Sequence, residues 1–233
     1  KFLDETFQGD QELIQLLRAA MKWSLSPKPD APFQFELYFD IYGRRGCGKG
    51  TISEVLLALV GRAGHGIARP KTFTNPNALT GLIGKKIGID PDSAGHLRDC
   101  GVFNSVVSNE FVETKTLYQD VSCARLGVVI WRFYNDAPSA SGAGLEGMGR
   151  RCVTFRIESQ PAKPDEKLKS KLLAEIDGIF WWVWGMSESD MDSTLKNRGQ
   201  IEAVLNASLE NTLDANAHLR LFLDPFPGGH VVI

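Results

Sequence analysis

The sequence lacks the features that would assign it to a membrane, to a secretory route or to a strongly charged partner. Its 233 residues carry a net charge of −2, with a pI near 6.1, so any surface for a polyanion has to be a local basic patch. No signal peptide is present, and the longest apolar run of the C-terminal third, residues 179–186, is too short to cross a bilayer. We therefore expect a cytoplasmic protein with no membrane partner.

The sequence also lacks paired cysteines. Its four cysteines are scattered and form no CxxC pair, so they predict neither a zinc site nor a disulfide framework. Free thiols are typical of a reducing cytoplasm. These residues are Cys47, Cys100, Cys123 and Cys152.

What the sequence does contain is a glycine-rich stretch, residues 43–51 (GRRGCGKGT). It follows an extended apolar run at 33–42 and precedes a helix-like run at 52–60, which is the strand–loop–helix context of a phosphate-binding loop. In such a loop the backbone curls so that its N–H groups point inward, and Lys49 supplies positive charge for the β- and γ-phosphates of ATP. The glycines that permit this curl are Gly43, Gly46, Gly48 and Gly50.

One position of this loop departs from the usual pattern. A Ser or Thr normally follows the lysine, and its hydroxyl contacts Mg²⁺. Here that position is Gly50, and the hydroxyl comes one residue later, at Thr51. We expect Thr51 to be a ligand of Mg²⁺. The alternative is a glycine-rich turn that binds nothing.

A second candidate site element is a pair of acids around a proline. Asp90 and Asp92 follow a short β-rich run, and Pro91 cannot continue a central strand. The acids therefore lie at the carboxyl end of a strand, the edge at which open α/β sheets bind ligands. One carboxylate there could hold Mg²⁺ and the other could polarise the attacking water. The alternative is a surface turn.

A buried strand at 126–134 ends in a third candidate, Asn135. An amide at this edge could orient the attacking water or sense the γ-phosphate, whereas the alternative is an Asx turn leading into Pro138.

Residues 101–120 predict the end of a helix and then a hairpin that carries Lys115 and Tyr118. Such a pair could contact a nucleic-acid backbone by charge and by stacking.

Taken in order, these elements resemble superfamily 3 helicases, which are AAA+ ring motors, and in particular the helicase part of phage and plasmid primase-helicases. The resemblance covers nearly the whole chain and includes residues 2–5, 82–86, the Asn135 segment and Arg150-Arg151 before a strand. It implies an AAA+ P-loop NTPase core that acts as an ATP-dependent DNA helicase or translocase in DNA replication.

The resemblance also implies roles for single residues. Lys49 binds phosphates, Asp92 is the metal or water-activating acid with Asp90 as its partner, and Asn135 senses the γ-phosphate. Arg151, or else Arg150, reaches the γ-phosphate of the neighbouring subunit. Lys115 and Tyr118 belong to the hairpin region that contacts single-stranded DNA in a central channel.

At the level of architecture, the resemblance implies a homo-oligomeric ring, a hexamer, in the cytoplasm of a bacterial host, and a primase domain outside this chain. We expect an α/β core at 31–185 between helical segments at 1–30 and 186–233. Within the core, residues 165–185 predict a helix that Asp177-Gly178 could interrupt, and the tryptophans at its end predict either core or a subunit interface.

Two other functions compete with the motor. The first is a nucleotide- and DNA-binding assembly module with weak or lost ATPase, which Gly50 and Asp90 would fit. The second is an adenylate-kinase-like enzyme, because a Gly-Lys-Gly-Thr loop also occurs there. Such a kinase needs an arginine-rich acceptor pocket and a lid, and the sequence shows neither.

Overall fold

The computed structural model of the protein describes the chain up to residue 204, with short gaps. The described residues are 1–26, 30–92, 96–97, 100–116, 118, 120–136, 140, 144–161, 164–201 and 203–204. Most of the predicted C-terminal segment, together with Pro138, therefore lies outside the described residues.

The fold is built on a five-stranded sheet in which every strand pair is parallel. The described strands are β1 (Tyr38–Gly43), β2 (His65–Ile67), β3 (Ile87–Asp90), β4 (Val112–Thr114), β5 (Ser122–Ala124), β6 (Val129–Tyr134) and β7 (Cys152–Ile157). The order within the large sheet is β2-β3-β6-β1-β7, whereas β4 and β5 form a separate antiparallel hairpin. This order places β6 at the centre and β1 between β6 and the edge strand β7.

Helices flank the sheet, so the predicted α/β fold with a central parallel sheet is confirmed. The described α-helices are α1 (Phe2–Thr6), α2 (Gln11–Leu25), α3 (Lys49–Val60), α4 (Pro76–Thr80), α5 (Gly101–Val107), α6 (Leu145–Arg151), α7 (Leu168–Ala174), α8 (Ile176–Trp184) and α9 (Glu188–Lys196). Short 3₁₀ helices occupy Pro70–Thr74 and Arg198–Gln200. Among the described residues, no helix has both the length and the apolar character needed to span a membrane.

Each face of the sheet packs against its own set of helices. Because side chains alternate along a strand, Phe39 and Trp131 enter a core shared with α2, α3, α8 and α9. Tyr38 and Ile130 point the other way, into a core shared with α4, α5 and α6. Both faces are therefore buried, which explains why β6 reads as a continuous apolar run.

The predicted N-terminal helical segment belongs to the first of these cores. Asp10 caps α2 by accepting a hydrogen bond from the Leu13 N–H at 2.9 Å, and the apolar side of this helix, including Leu16 and Leu17, is completely buried. The aliphatic part of this helix thus packs directly onto the sheet side that also carries Phe39.

The helix predicted over 165–185 begins later, at Leu168, and is interrupted earlier than Asp177-Gly178. The segment forms two helices, α7 and α8, separated at Glu175, where φ is −98° and ψ is 14°. Helix α7 packs on α3, whereas α8 packs on both α2 and α3. Of the tryptophans, Trp182 packs against the core, whereas Trp181 and Trp184 are exposed.

Candidate functional site

The glycine-rich stretch forms a tight loop between β1 and α3, as the pattern predicts. Gly46 and Gly48 adopt left-handed φ values of +81° and +105°, which side chains with a Cβ rarely adopt. The Lys49 ammonium donates to the carbonyl of Gly43 at 2.5 Å and to that of Arg44 at 2.8 Å. The lysine is therefore held inside the loop, with its positive charge at the start of α3.

Backbone donors of the same loop point to an anion as the ligand. Within the described part of the chain, the N–H groups of Gly46, Gly48, Lys49 and Gly50 make no backbone hydrogen bond. Clustered N–H groups at a helix N-terminus, together with the helix dipole, bind phosphate well. The phenyl ring of Phe2 lies beside the loop. A Cβ added at Gly48 would stand 3.4 Å from this ring.

A cavity of about 1110 Å³ opens at this loop, along the carboxyl edge of the sheet. Lys49 and Thr51 line it from the loop, Asp92 from the end of β3, Asn135 from the end of β6 and Ser159 from the end of β7. These side chains meet because β3, β6, β1 and β7 are parallel neighbours whose carboxyl ends share one edge. The structure thus brings seven of the predicted site residues together, because Gly46, Gly48 and Gly50 of the loop also line the cavity.

The two predicted acids occupy different environments. Asp92 is exposed and lines the cavity, whereas Asp90 is completely buried and does not. The sheet register fixes the position of Asp90, which lies opposite Arg132 on β6, which in turn lies opposite Asp40 on β1. Register partners in a parallel sheet share a face, so Asp90 points into the sheet's second face. Asp92 reaches the cavity because it lies beyond Asp90, the last residue of β3.

Behind the cavity wall lies a buried polar cluster. Arg132 donates to Asp40 through Nε at 2.8 Å and through Nη2 at 2.6 Å, and the Tyr134 hydroxyl donates to the same carboxylate at 3.1 Å. Burial raises the pKa of Tyr134 well above its usual value, and the negative charge of Asp40 raises it further. Tyr134 itself lines the cavity, so the cluster fixes the strand end that carries Asn135.

The two predicted finger arginines have opposite surroundings. Arg151 is buried and its Nη2 lies 2.6 Å from the Glu36 carboxylate, while its guanidinium also donates to Ser108 Oγ and to the Gly147 carbonyl. Arg150 is exposed. Neither residue lines the cavity of its own chain.

The two predicted DNA contacts also lie outside this cavity. Lys115 and Tyr118 are exposed and follow β4 in the hairpin, as the sequence predicts. The Lys115 N–H donates to the Pro76 carbonyl at 3.2 Å and the Thr80 hydroxyl to the Lys115 carbonyl at 3.0 Å, so α4 anchors this end of the hairpin.

Several cavity residues were not predicted from the sequence. One group comes from α1, and another from the segment between β7 and α7 and from the first residues of α7. No spacing rule links these positions to the loop, although Pro161 and Pro164 do mark the segment as irregular. The residues are Phe2, Glu5, Thr6, Ser159, Gln160, Pro161, Pro164, Asp165, Glu166, Leu168 and Lys169.

The donors around the cavity fit a nucleotide polyphosphate with Mg²⁺. The loop offers N–H groups and one ammonium for phosphate oxygens, while Asp92 and Thr51 offer oxygen ligands for the cation. Among the described residues, no three His, Cys, Asp or Glu side chains are grouped so as to hold a metal. Mg²⁺ at nucleotide sites needs only one or two carboxylates, because phosphates and waters complete its shell.

Comparison with solved structures supports this fold. No protein-family model matches the chain. The A-form apo structure of the C-terminal region of NrS-1 superposes with a TM-score of 0.67 at 12% identity, covering 96% of this chain and 54% of that one. A second A-form structure gives 0.61 at 14% identity, covering 95% and 55%, and a further apo structure gives 0.60 at 12%, covering 85% and 50%. The protein therefore shares its fold with the NrS-1 C-terminal region and spans about half the length of that region.

Proposed function

We propose that the chain is the ATP-hydrolysing core of a DNA helicase or translocase. The observation that carries this proposal is the convergence of Lys49, Thr51, Asp92 and Asn135 on one cavity at the carboxyl edge of the sheet. Phosphoryl transfer is catalysed almost entirely by positioning and by electrostatics, and these are the groups it requires. Lys49 and the loop bind the phosphates, Asp92 and Thr51 face the metal, and Asn135 positions the attacking water.

The proposal includes a ring oligomer, a hexamer, acting on single-stranded DNA. Arg45 lines the cavity, whereas Arg150 and Arg151 do not line the cavity of their own chain, which supports a role for one of them at the γ-phosphate of a neighbouring subunit. The exposed β4–β5 turn, with Lys115 and Tyr118, supplies charge and a stacking surface for the DNA backbone.

Mass measurement with and without an ATP analogue and single-stranded DNA tests assembly, and a monomer under every condition would refute the ring.

The activity is tested by measuring ATP hydrolysis by the purified chain with and without single-stranded DNA. We expect hydrolysis that DNA stimulates, that is lost in Lys49→Ala, and that is unchanged in Lys71→Ala, an exposed lysine outside the cavity. Hydrolysis undiminished in Lys49→Ala would contradict the proposal. Transfer of phosphate from ATP to a nucleoside monophosphate would instead identify a kinase.

A second candidate function is a nucleotide-dependent DNA-binding assembly module with weak or lost ATPase. Gly50 favours it, because the hydroxyl that contacts Mg²⁺ in phosphate-binding loops is missing from that position. Nucleotide binding without measurable turnover, in the presence of DNA and in the assembled state, would select this function over the motor.

A further inference from the structure

We propose that Lys169 of α7 is a second phosphate-binding cation of the nucleotide site, supplied by the same chain. This inference rests on the proposed function, because it assigns a role within the same cavity. It adds a residue that neither the loop motif nor the order of the sequence elements indicates, and it gives a physical reason for Gly50.

The first observation is the position of the Lys169 side chain. Its ammonium lies 3.7 Å from the point at which a Cβ on Gly50 would stand. Lys169 also lines the cavity that Lys49, Thr51 and Asp92 line. The packing of α7 against α3 brings this lysine to the phosphate loop, although the two segments are far apart in the sequence.

The second observation is the identity of residue 50. In phosphate-binding loops this position carries the hydroxyl that contacts Mg²⁺, so its side chain faces the β- and γ-phosphates. Here the position has no side chain, and an ammonium approaches it instead. A cation on this side of the loop can bind the phosphate oxygens that the metal would otherwise neutralise alone.

The third observation is that this ammonium has no other partner in the described part of the chain. No ion pair or hydrogen bond joins Lys169 to another described residue, whereas Lys171 of the same helix pairs with Asp165 at 2.6 Å. The carboxylates of Glu166 and Glu54 also line the cavity, but neither forms an ion pair with Lys169 within the described residues. The lysine is thus available to an anion that enters the cavity.

A lysine in this place favours ligands with more than one phosphate. Lys49 and the loop N–H groups bind one region of a polyphosphate, and Lys169 approaches the loop from α7, on the side of Gly50. A charge-assisted contact of this kind contributes about tenfold or more to affinity. The effect should therefore be large for ATP and ADP and small for AMP.

The test is a set of binding measurements on the purified chain, made by calorimetry with ATP, ADP and AMP in the presence of Mg²⁺. We expect Lys169→Ala to weaken ATP binding by about tenfold or more and to leave AMP binding nearly unchanged. Lys169→Arg, which keeps the charge, should recover part of the affinity. Lys167→Ala, at an exposed lysine that does not line this cavity, is the matched control.

A double-mutant cycle with Gly50→Ser tests the link to residue 50. A serine Cβ would meet the ammonium at ordinary contact distance, so the variant should fold, and its hydroxyl restores a ligand for Mg²⁺. We expect Lys169→Ala to cost less affinity for ATP in the Gly50→Ser chain than in the natural one. Equal losses in both backgrounds would show that the lysine and residue 50 act independently, and would overturn the explanation of Gly50.

Lys49→Ala separates failure of this inference from failure of the proposed function. If Lys49→Ala loses ATP binding while Lys169→Ala binds as the natural chain does, Lys169 has no role and the proposed function stands. If Lys49→Ala also binds ATP normally, the loop is not the phosphate site and both proposals fail. Thermal unfolding of each variant distinguishes loss of binding from loss of fold.

Discussion

Arg151 and Glu36 form an ion pair within one chain, with 2.6 Å between the guanidinium Nη2 and the carboxylate Oε2. The arginine is buried, and it also donates to Ser108 Oγ at 3.2 and 3.1 Å and to the Gly147 carbonyl at 3.0 Å. To reach a neighbouring subunit, Arg151 would have to give up all of these partners. Arg150 is exposed and has no such cost, so within the proposed ring we expect Arg150 rather than Arg151 to be the finger.

The first prediction separates the two arginines. Arg150→Ala should lower ATP turnover by about 10³-fold and leave the free energy of unfolding unchanged, because an exposed finger acts only in the assembled site. Arg151→Ala should lower the free energy of unfolding by about 1–3 kcal/mol, because it leaves partners of the buried guanidinium unsatisfied. Steady-state hydrolysis and urea denaturation measure the two effects. A stable Arg151→Ala protein without turnover, beside a normal Arg150→Ala protein, would restore Arg151 as the finger.

The second prediction concerns the two acids. Asp92→Asn should reduce Mg²⁺-dependent hydrolysis by about 100-fold or more while nucleotide still binds, because Asp92, unlike Asp90, lines the cavity. Asp90→Asn should act mainly on stability, because this residue is completely buried and does not line the cavity. Turnover as a function of Mg²⁺ concentration, together with thermal unfolding, checks both variants. The assignment is wrong if Asp90→Asn folds normally and alone abolishes turnover.

The third prediction separates DNA binding from folding at the hairpin tip. Tyr118 is fully exposed and has a left-handed φ of +64°, so glycine relieves backbone strain there. Tyr118→Gly should therefore raise the free energy of unfolding by up to about 1 kcal/mol, yet weaken single-stranded DNA binding by about 1–3 kcal/mol through loss of stacking. Fluorescence anisotropy with labelled DNA measures the binding, and Lys71→Ala is the exposed control. Unchanged DNA affinity would remove Tyr118 from the interface.

The strand, loop and helix around Lys49 were predictable because their determinants are local. Glycines at positions of left-handed φ, an apolar run before them and a helical run after them all lie within a single continuous segment. The same holds for Asp92 and Asn135, since each directly follows a strand and parallel strands share one edge. These residues reach the cavity through topology that the alternation of strands and helices already implies.

The rest of the cavity depends on packing that no local pattern encodes. Phe2 reaches Gly48 because α1 packs on α2, which packs on α3, and Lys169 reaches Gly50 because α7 packs on α3. Composition likewise predicts that tryptophans are buried, but not which side of α8 faces the core, and Trp181 remains 66% exposed. The residue type indicates what kind of contact a side chain makes, whereas the identity of its partner depends on the tertiary structure.

The fourth prediction concerns the buried pair behind the cavity. Arg132→Met should cost about 3–5 kcal/mol of stability, because it leaves the completely buried Asp40 carboxylate without its cationic partner. The double variant Asp40→Leu, Arg132→Met should recover much of that loss, since an apolar pair replaces an ion pair that has lost its solvation. Urea denaturation of the natural chain and of the two variants measures this. A double variant no more stable than Arg132→Met would show that Tyr134 and Cys152 need the carboxylate as an acceptor.

The fifth prediction is a loss of stability at high pH. Burial, and after it the negative charge of the Asp40 carboxylate, raise the pKa of the Cys152 thiol from 9.0 to about 12. Below pH 9.0 the thiol is protonated in both states, so its contribution to stability is fully present. As pH rises from there towards 12, the unfolded chain releases the proton first, and stability falls by about 1 kcal/mol per pH unit. Serine does not titrate in this range, so Cys152→Ser should show a shallower decline of the free energy of unfolding. Equal slopes of the free energy of unfolding against pH for the two proteins would show that the folded thiol titrates as it does in the unfolded chain. The loss of stability at high pH would then come from the buried Tyr38 and Tyr134, whose pKa values burial also raises.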